Sequence, residues 1–507
     1  MARNRRKNKK AVLPQTQAPI GLDLPYDVLS EIFLILWAQS YTCVSQAPFL
    51  PTRLGAVSTF WRHVAWLTPQ LWTDLELTNS FWWSKDRLYI LNLYLKNVGN
   101  STLNLTIEDY PSDLEAKRSG KSRKGRSKRL RSMASDSDPF PSSEFIHVIP
   151  FPARDVFTDI FVRHPEKLKS VVMEKYVYSW LQEIEAISQS SGFPNLETFS
   201  IDSDIGDDPA QTLMQFGTIA PPVDIQNVPQ LQNISLVGPR VQFSFPWSQI
   251  LSLHLIFVDA VYAMQAVLGC PNLQDLQVSE LDISPVEDDF PFPRERLDLP
   301  ALDSFLFAGF SVPYSWEVGL TQYLSFSGLK NLRFEPSPLS FERHADFLRN
   351  LPSTLETLFL FGDSSQEFVR SLTELLTRSV HLEKLAITFS DPLPHEFLRY
   401  VTLKPRQHPV LPALADLTFI LLPASNKLER KRYPAILKFL RSRWGMRCPD
   451  GVSPIYSFEI RLIRDRPPKV NSLPKNFLAG ARELREEGMN IFITAAVGNG
   501  EGYMALF

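Results

Sequence analysis

One nine-residue phrase of apolar and polar positions recurs down most of this chain. It reads FPNLETFSI from Phe193, VPQLQNISL from Val228, CPNLQDLQV from Cys270 and LPALDSFLF from Leu299. It returns as FSGLKNLRF from Phe326, LPSTLETLFL from Leu351, VHLEKLAI from Val380 and LPALADLTF from Leu411, with a less regular WSQILSLHL from Trp247. The anchor leucines are Leu168, Leu196, Leu231, Leu273, Leu302, Leu329, Leu355, Leu382 and Leu414, and Ile250 takes the same place in the irregular copy. Past each anchor, alternation predicts a short strand. In the Phe193 copy Leu196, Phe199 and Ile201 point inward while Thr198 and Ser200 point out. The proline ahead of many anchors predicts the end of the preceding helix, because it has no amide hydrogen and clashes with the turn behind it. A unit this small cannot bury its own apolar face, so successive units are expected to stack with their strands in one parallel sheet.

Upstream the period changes. Ser84–Val98 places Leu88, Leu91, Leu95 and Val98 on one helical face and leads to an alternating strand at Leu103–Ile107, a first unit of the same kind. Residues Gly21–Leu77 carry Val28, Leu29, Ile32, Phe33 and Leu36 at helical spacing behind Leu24-Pro25. Leu54, Val57, Trp61, Val64, Ala65, Leu71 and Trp72 follow. So short a helical module holds more apolar side chains than it can bury alone, which predicts a partner. Past Leu422 the phrase fades. A helix at Pro434–Trp444 and strands at Ser457–Ile463 and Met489–Thr494 are expected to be degenerate units or a cap over the last sheet edge.

Composition refines this picture in three ways. A chain of 507 residues with 44% hydrophobic content should hold more than one folding unit. The net charge of −2 conceals an asymmetry: six of 53 basic residues fall in the first ten positions, and nine more lie between Lys117 and Arg131. Without these the remainder is near roughly −17, a body that repels a phosphate backbone and makes nucleic-acid binding unlooked-for. Residues 1–20 and 111–142 are expected to be disordered and basic, with a nuclear-import signal as the sharper reading of the second run. Cys43, Cys270 and Cys448 stand far apart, so neither disulfides nor a zinc site is expected, and the compartment is read as reducing, cytoplasmic or nuclear. The amino terminus lacks an apolar core for a secretory signal, and no apolar stretch is long enough to span a membrane.

Candidate chemistry is sparse. His395-Glu396 opens like a zinc-protease helix, but Arg399 stands where the second histidine belongs. The acidic run Asp202–Asp208 lacks a calcium loop's closing glutamate, the place being held by Leu213. Gly498, Gly500 and Gly502 open no helix that could cradle a phosphate. No catalytic, cofactor-binding or metal-binding constellation is expected, and the chain is not read as an enzyme.

The order LP-x-x-VL-x-x-IF, VS-x-x-W-x-x-VA and LW-x-x-LEL, from Leu24 to Leu77, resembles an F-box. The phrases that follow look like a degenerate leucine-rich-repeat array, a combination of fungal type. Two departures are a lengthened connection at Tyr41–Pro51 and Ser58-Thr59-Phe60 ahead of Trp61. The resemblance implies an α+β chain. An all-α F-box at 21–78 is followed by a first unit at 79–110, the insertion at 111–142, an irregular α/β solenoid with a parallel sheet at 143–422, and degenerate units or a cap at 423–507. It implies a substrate-recruiting adaptor of an SCF-type ubiquitin ligase. Leu24, Pro25, Val28, Leu29, Ile32 and Val57 would meet the Skp-type linker protein, and through it a cullin-RING ligase, while Phe33, Trp61 and Trp72 would be core. Among outward strand residues Leu306, Arg333, Phe359 and Lys384 are the candidates for binding an unknown protein target. A scaffold using the same module outside a ligase is the alternative.

Overall fold

The computed structural model describes residues 24–40, 50–78, 81–82, 84, 86–108, 151–174, 178–202, 222–238, 241–281, 296–309, 323–335, 345–362, 366–389, 395–403, 409–421, 432–445, 451–464, 473–497 and 503–505. The basic amino terminus, the insertion at 111–142, most of the acidic run after Asp202 and the late glycines lie outside the described residues. Two compact units divide the chain, one drawn from Met1–Ser142 with Pro150–Ser170, the other from Val171–Phe507 with Ser143–Ile149.

In the first unit, helix α1 (Tyr26–Ser40) starts directly after Pro25, whose carbonyl accepts from the Leu29 amide at 3.0 Å. Helix α2 (Leu50–Val57) and helix α3 (Thr59–Trp66) are separated by Ser58 alone. Ser58 has extended backbone, and its hydroxyl accepts from the Trp61 amide at 3.1 Å. The departure in the sequence is therefore an N-cap, which satisfies one of the helix's orphan amides. A methyl group on Gly55 would lie 2.1 Å from a carbon of the Trp66 ring, so only glycine allows α2 to approach α3 this closely. Thr68 donates back to the Val64 carbonyl at 2.8 Å, and the Trp72 indole donates to Ala65 O at 2.8 Å. The Trp72 ring meets Trp66 at 5.6 Å and Tyr94 at 5.1 Å, edge contacts of the kind aromatic pairs prefer. Through Tyr94 the helix Arg87–Asn97 joins this core, and the strands Asp74–Leu77 and Leu103–Ile107 pair in parallel. The strand at Leu103–Ile107 falls where alternation places it.

The second unit is built from strands that pair in parallel and in chain order, beginning Thr198–Asp202, Asn233–Val237, Ser252–Ile256, Asp275–Ser279 and Ser304–Ala308. Asn331–Glu335, Thr357–Gly362, Lys384–Phe389 and Asp416–Leu421 continue it. Helices stand between many of them, among them Ala260–Leu268, Gln366–Arg378 and His395–Val401. The mixed α and β chain with a large parallel sheet agrees with the expected class. Each anchor, from Leu196 to Leu414, is at most 2% exposed.

Two hydrogen-bond motifs recur at the anchors. A carbonyl three residues before the anchor accepts the anchor's own amide, as in Leu231→Val228 (3.1 Å) and Leu302→Leu299 (3.2 Å). The prolines, such as Pro229 and Pro300, thus occupy the second position of a tight turn, where their fixed φ is an asset. It adds to the expected helix ending, since the helices Ala260–Leu268 and Ala345–Asn350 stop just before Pro271 and Pro352. The residue just past the anchor then offers its carbonyl to two amides of the next unit. Glu197 O accepts from Gln232 and Asn233 at 2.9 and 3.0 Å, and Lys330 O accepts from Glu356 and Thr357 at 2.8 and 3.0 Å. Gln232, Leu251, Gln274, Asp303, Glu356, Glu383 and Ala415 do the same.

The fading carboxyl-terminal phrase hides further units. Ser457–Arg464 pairs with Asp416–Leu421, Asn490–Val497 pairs with that strand, and Tyr503–Ala505 closes antiparallel. Here the turn at Leu411 takes a left-handed φ of 54°, and a buried cation secures it. Arg443 donates through Nη1 to Leu411 O at 2.9 Å and through Nη2 to Val410 O. Replacing it takes this donor from the Val410 carbonyl and leaves the Leu411 carbonyl with only the Leu414 amide at 3.3 Å, so Arg443→Met should lower stability by about 1–3 kcal/mol. The urea midpoint reads this out, and a midpoint equal to wild type would show the turn holds without it.

Candidate interaction surfaces

Helix α1 is apolar on two sides. At 3.6 residues per turn, Leu29, Phe33 and Trp37 share one stripe, while Val28, Ile32 and Ile35 share another that Leu36 borders. The first stripe is internal: Phe33 is fully buried and meets the half-buried Trp61 at 5.1 Å between ring centroids. Leu29 belongs to it at 1% exposure, so it faces the core and is not available to a partner, a correction to its place in the expected contact set. The second stripe is open. Val28 is 41% exposed, Ile35 55% and Leu36 40%, with Ile32 and Leu24 half-buried and Pro25 exposed. Val57, at the end of α2, is 61% exposed. The Tyr26 hydroxyl ties the start of this helix to Leu67 O at 3.0 Å, and Ser30 Oγ lies 3.0 Å from Thr68 Oγ1. Those two bonds hold the stripe in a fixed orientation. Ile35 was not foreseen, although its spacing from Val28 and Ile32 carries the signal.

In the second unit the outward strand positions align into rows across the sheet. Register places Leu306 opposite Arg333 and Arg333 opposite Phe359, so three of the four expected target-binding residues are brought together. Lys384 stands apart in the neighbouring row, opposite Thr357 on one side and Asp416 on the other. The Arg333 guanidinium lies 4.8 Å from the centroid of the Phe359 ring, and its Nε donates to Glu335 Oε1 at 2.6 Å. Glu335 is buried. It was missed by sequence reasoning, yet a residue two places along a strand shares its face. Arg461 and Glu459 repeat this pairing at 2.8 Å, and Lys330 pairs with Asp303 at 3.1 Å.

Earlier in the same row stands His254, hydrogen-bonded through Nδ1 to Ser235 Oγ at 3.2 Å. Burial lowers its pKa from the ordinary value, while Asp275 and Asp202 pull the other way. Cys270, wholly buried in the turn before Leu273, has its thiol pushed up to about 12 by burial. A neutral thiol without access to solvent is a packing residue and a poor nucleophile. No group of three or more metal-ligating side chains occurs among the described residues, and no described helix is long and apolar enough to cross a membrane.

No family model matches this chain, and no curated protein matches it.

The unfolded chain binds a proton at His254 more readily than the folded one. Stability fully present above about pH 6.5 is therefore lost as pH falls from there through the lower folded-state value. His254→Gln should flatten the decline below about pH 6.5. A His254 resonance titrating at or above the usual histidine midpoint would contradict this. In a Cys43→Ser, Cys448→Ser background, Cys270 should react with an iodoacetamide probe only on unfolding, and rapid native labelling would contradict its burial.

Proposed function

We propose that this chain is a substrate-recruiting adaptor of an SCF-type ubiquitin ligase. The helical module is read as an F-box that docks on a Skp-type linker protein and through it on a cullin. The stacked strand-and-helix units are read as a leucine-rich-repeat-like solenoid that receives the target. In this reading the chain performs no catalysis of its own and works in the cytoplasm or nucleus. Its contribution is effective concentration, bringing the target's lysines within reach of a partner's chemistry.

The observation that carries the reading is the open stripe of α1. Val28, Ile35 and Leu36 expose apolar surface on a helix whose other stripe already forms the module's core. A helix apolar on both sides is expected where a second protein completes the burial. Each such side chain, once covered, contributes about 1.5–3 kcal/mol, enough for several together to exceed the cost of association. The contact set accordingly becomes Leu24, Pro25, Val28, Ile32, Ile35, Leu36 and Val57.

The test separates docking from folding. The double variant Val28→Glu with Ile35→Glu should retain the wild-type melting midpoint yet lose linker and cullin on co-purification. Leu29→Ala, by contrast, should cost about 2–5 kcal/mol of stability. Linker retained by a folded double variant would refute the assigned interface.

A further inference from the structure

The outward row of the sheet changes character in its middle. It runs Ser235, His254, Gln277 and then Leu306, Arg333 and Phe359. Two apolar side chains there flank one arginine, each a strand away. Strands in a sheet lie about 4.8 Å apart, so an extended peptide laid across them meets all three positions within a few residues.

Arg333 is prepared for a ligand. Its Nε is held by the buried Glu335 at 2.6 Å and its guanidinium lies 4.8 Å from the centroid of the Phe359 ring. Its side chain nevertheless remains 54% exposed. The two Nη groups are uncommitted among the described residues. A guanidinium with its torsions already fixed loses little freedom when it binds, and the Nη fork matches a planar carboxylate in two parallel hydrogen bonds. Because Glu335 sits on the inner side of the pair, the outward end is the cationic one.

Resting on the reading of this sheet as the target-receiving surface, we propose that Leu306, Arg333 and Phe359 form a recognition site for an acidic peptide. The Nη fork receives an aspartate or glutamate carboxylate, and Leu306 and Phe359 seat an apolar residue beside it. The charge balance fits a carboxylate better than a phosphate. Glu335 already offsets Arg333, Lys330 pairs with Asp303 at 3.1 Å, and Lys384 faces Asp416 in register. A dianion would bring more charge than this row can neutralise.

The test uses the full-length chain and four pools of short fluorescent peptides. All share a leucine and differ two positions later, carrying glutamate, glutamine, lysine or phosphoserine. Anisotropy should show the glutamate pool binding on the order of tenfold tighter than the glutamine pool. Arg333→Lys, which keeps charge but not the fork, should abolish that difference while leaving the melting midpoint unchanged. Phe359→Ala should weaken both pools alike. Equal binding of the glutamate and glutamine pools, or of none, would overturn the proposal. Tightest binding of the lysine pool would assign recognition to the sheet's carboxylates instead, and tightest binding of phosphoserine would make this a phosphate site. Linker capture is measured in the same samples: if it persists while the acidic preference fails, only this site is refuted. If wild type captures no linker, the adaptor reading fails instead.

Discussion

A single carbonyl at each strand entrance organises the second unit. The residue after every anchor from Leu196 to Leu414 turns its oxygen toward the next unit and accepts two amides. Neither the anchor's burial nor the strand's register is free once that is done. The two amides come from the residues one and two past the next anchor, so each strand is laid down at a constant offset from the last. In a parallel sheet a slip of one residue would invert every side chain. The doubled bond, together with the buried anchor beside it, makes that slip costly at every unit.

Constant offset has a functional result. Because equivalent positions fall in line, the outward residues of distant sequence segments become neighbours, and Leu306, Arg333 and Phe359 meet although they are dozens of residues apart in the chain. The same alternation that buries Leu332 and Phe334 leaves Arg333 outward between them and puts Glu335 on its own face. Surface chemistry in this unit is therefore a by-product of core patterning. The helical module works differently. There one helix supplies both core and exterior, and its orientation is held by Tyr26 and Ser30 bonds to Leu67 and Thr68, the two residues that follow α3.

Much of this was legible in the residues and part was not. The anchors could be read because leucine recurs in a fixed local phrase, and every one of them is buried. The strand at 103–107 is likewise readable from alternation, and those expected at 457–463 and 489–494 stand at 457–464 and 490–497. Proline's second role, at the second position of a turn, is not legible in periodicity, while the helices Ala260–Leu268 and Ala345–Asn350 do stop just before Pro271 and Pro352. Family likeness marks a helix and not its sides, which puts Leu29 among the expected contacts; only packing separates the stripe of Leu29 and Phe33 from that of Val28 and Ile35. Arg443 could not be foreseen at all. Its partners, Val410 and Leu411, are backbone carbonyls more than thirty residues away, and a carbonyl leaves no mark in a sequence.

The central claim is that two independent surfaces serve two different partners. Quantitative affinity capture with mass spectrometry on wild type, the Val28→Glu, Ile35→Glu double variant and Arg333→Lys tests it most directly. The account predicts that the first variant loses linker and cullin while keeping its remaining partners, and that the second keeps linker and cullin while losing others. Loss of the same proteins from both folded variants would contradict it.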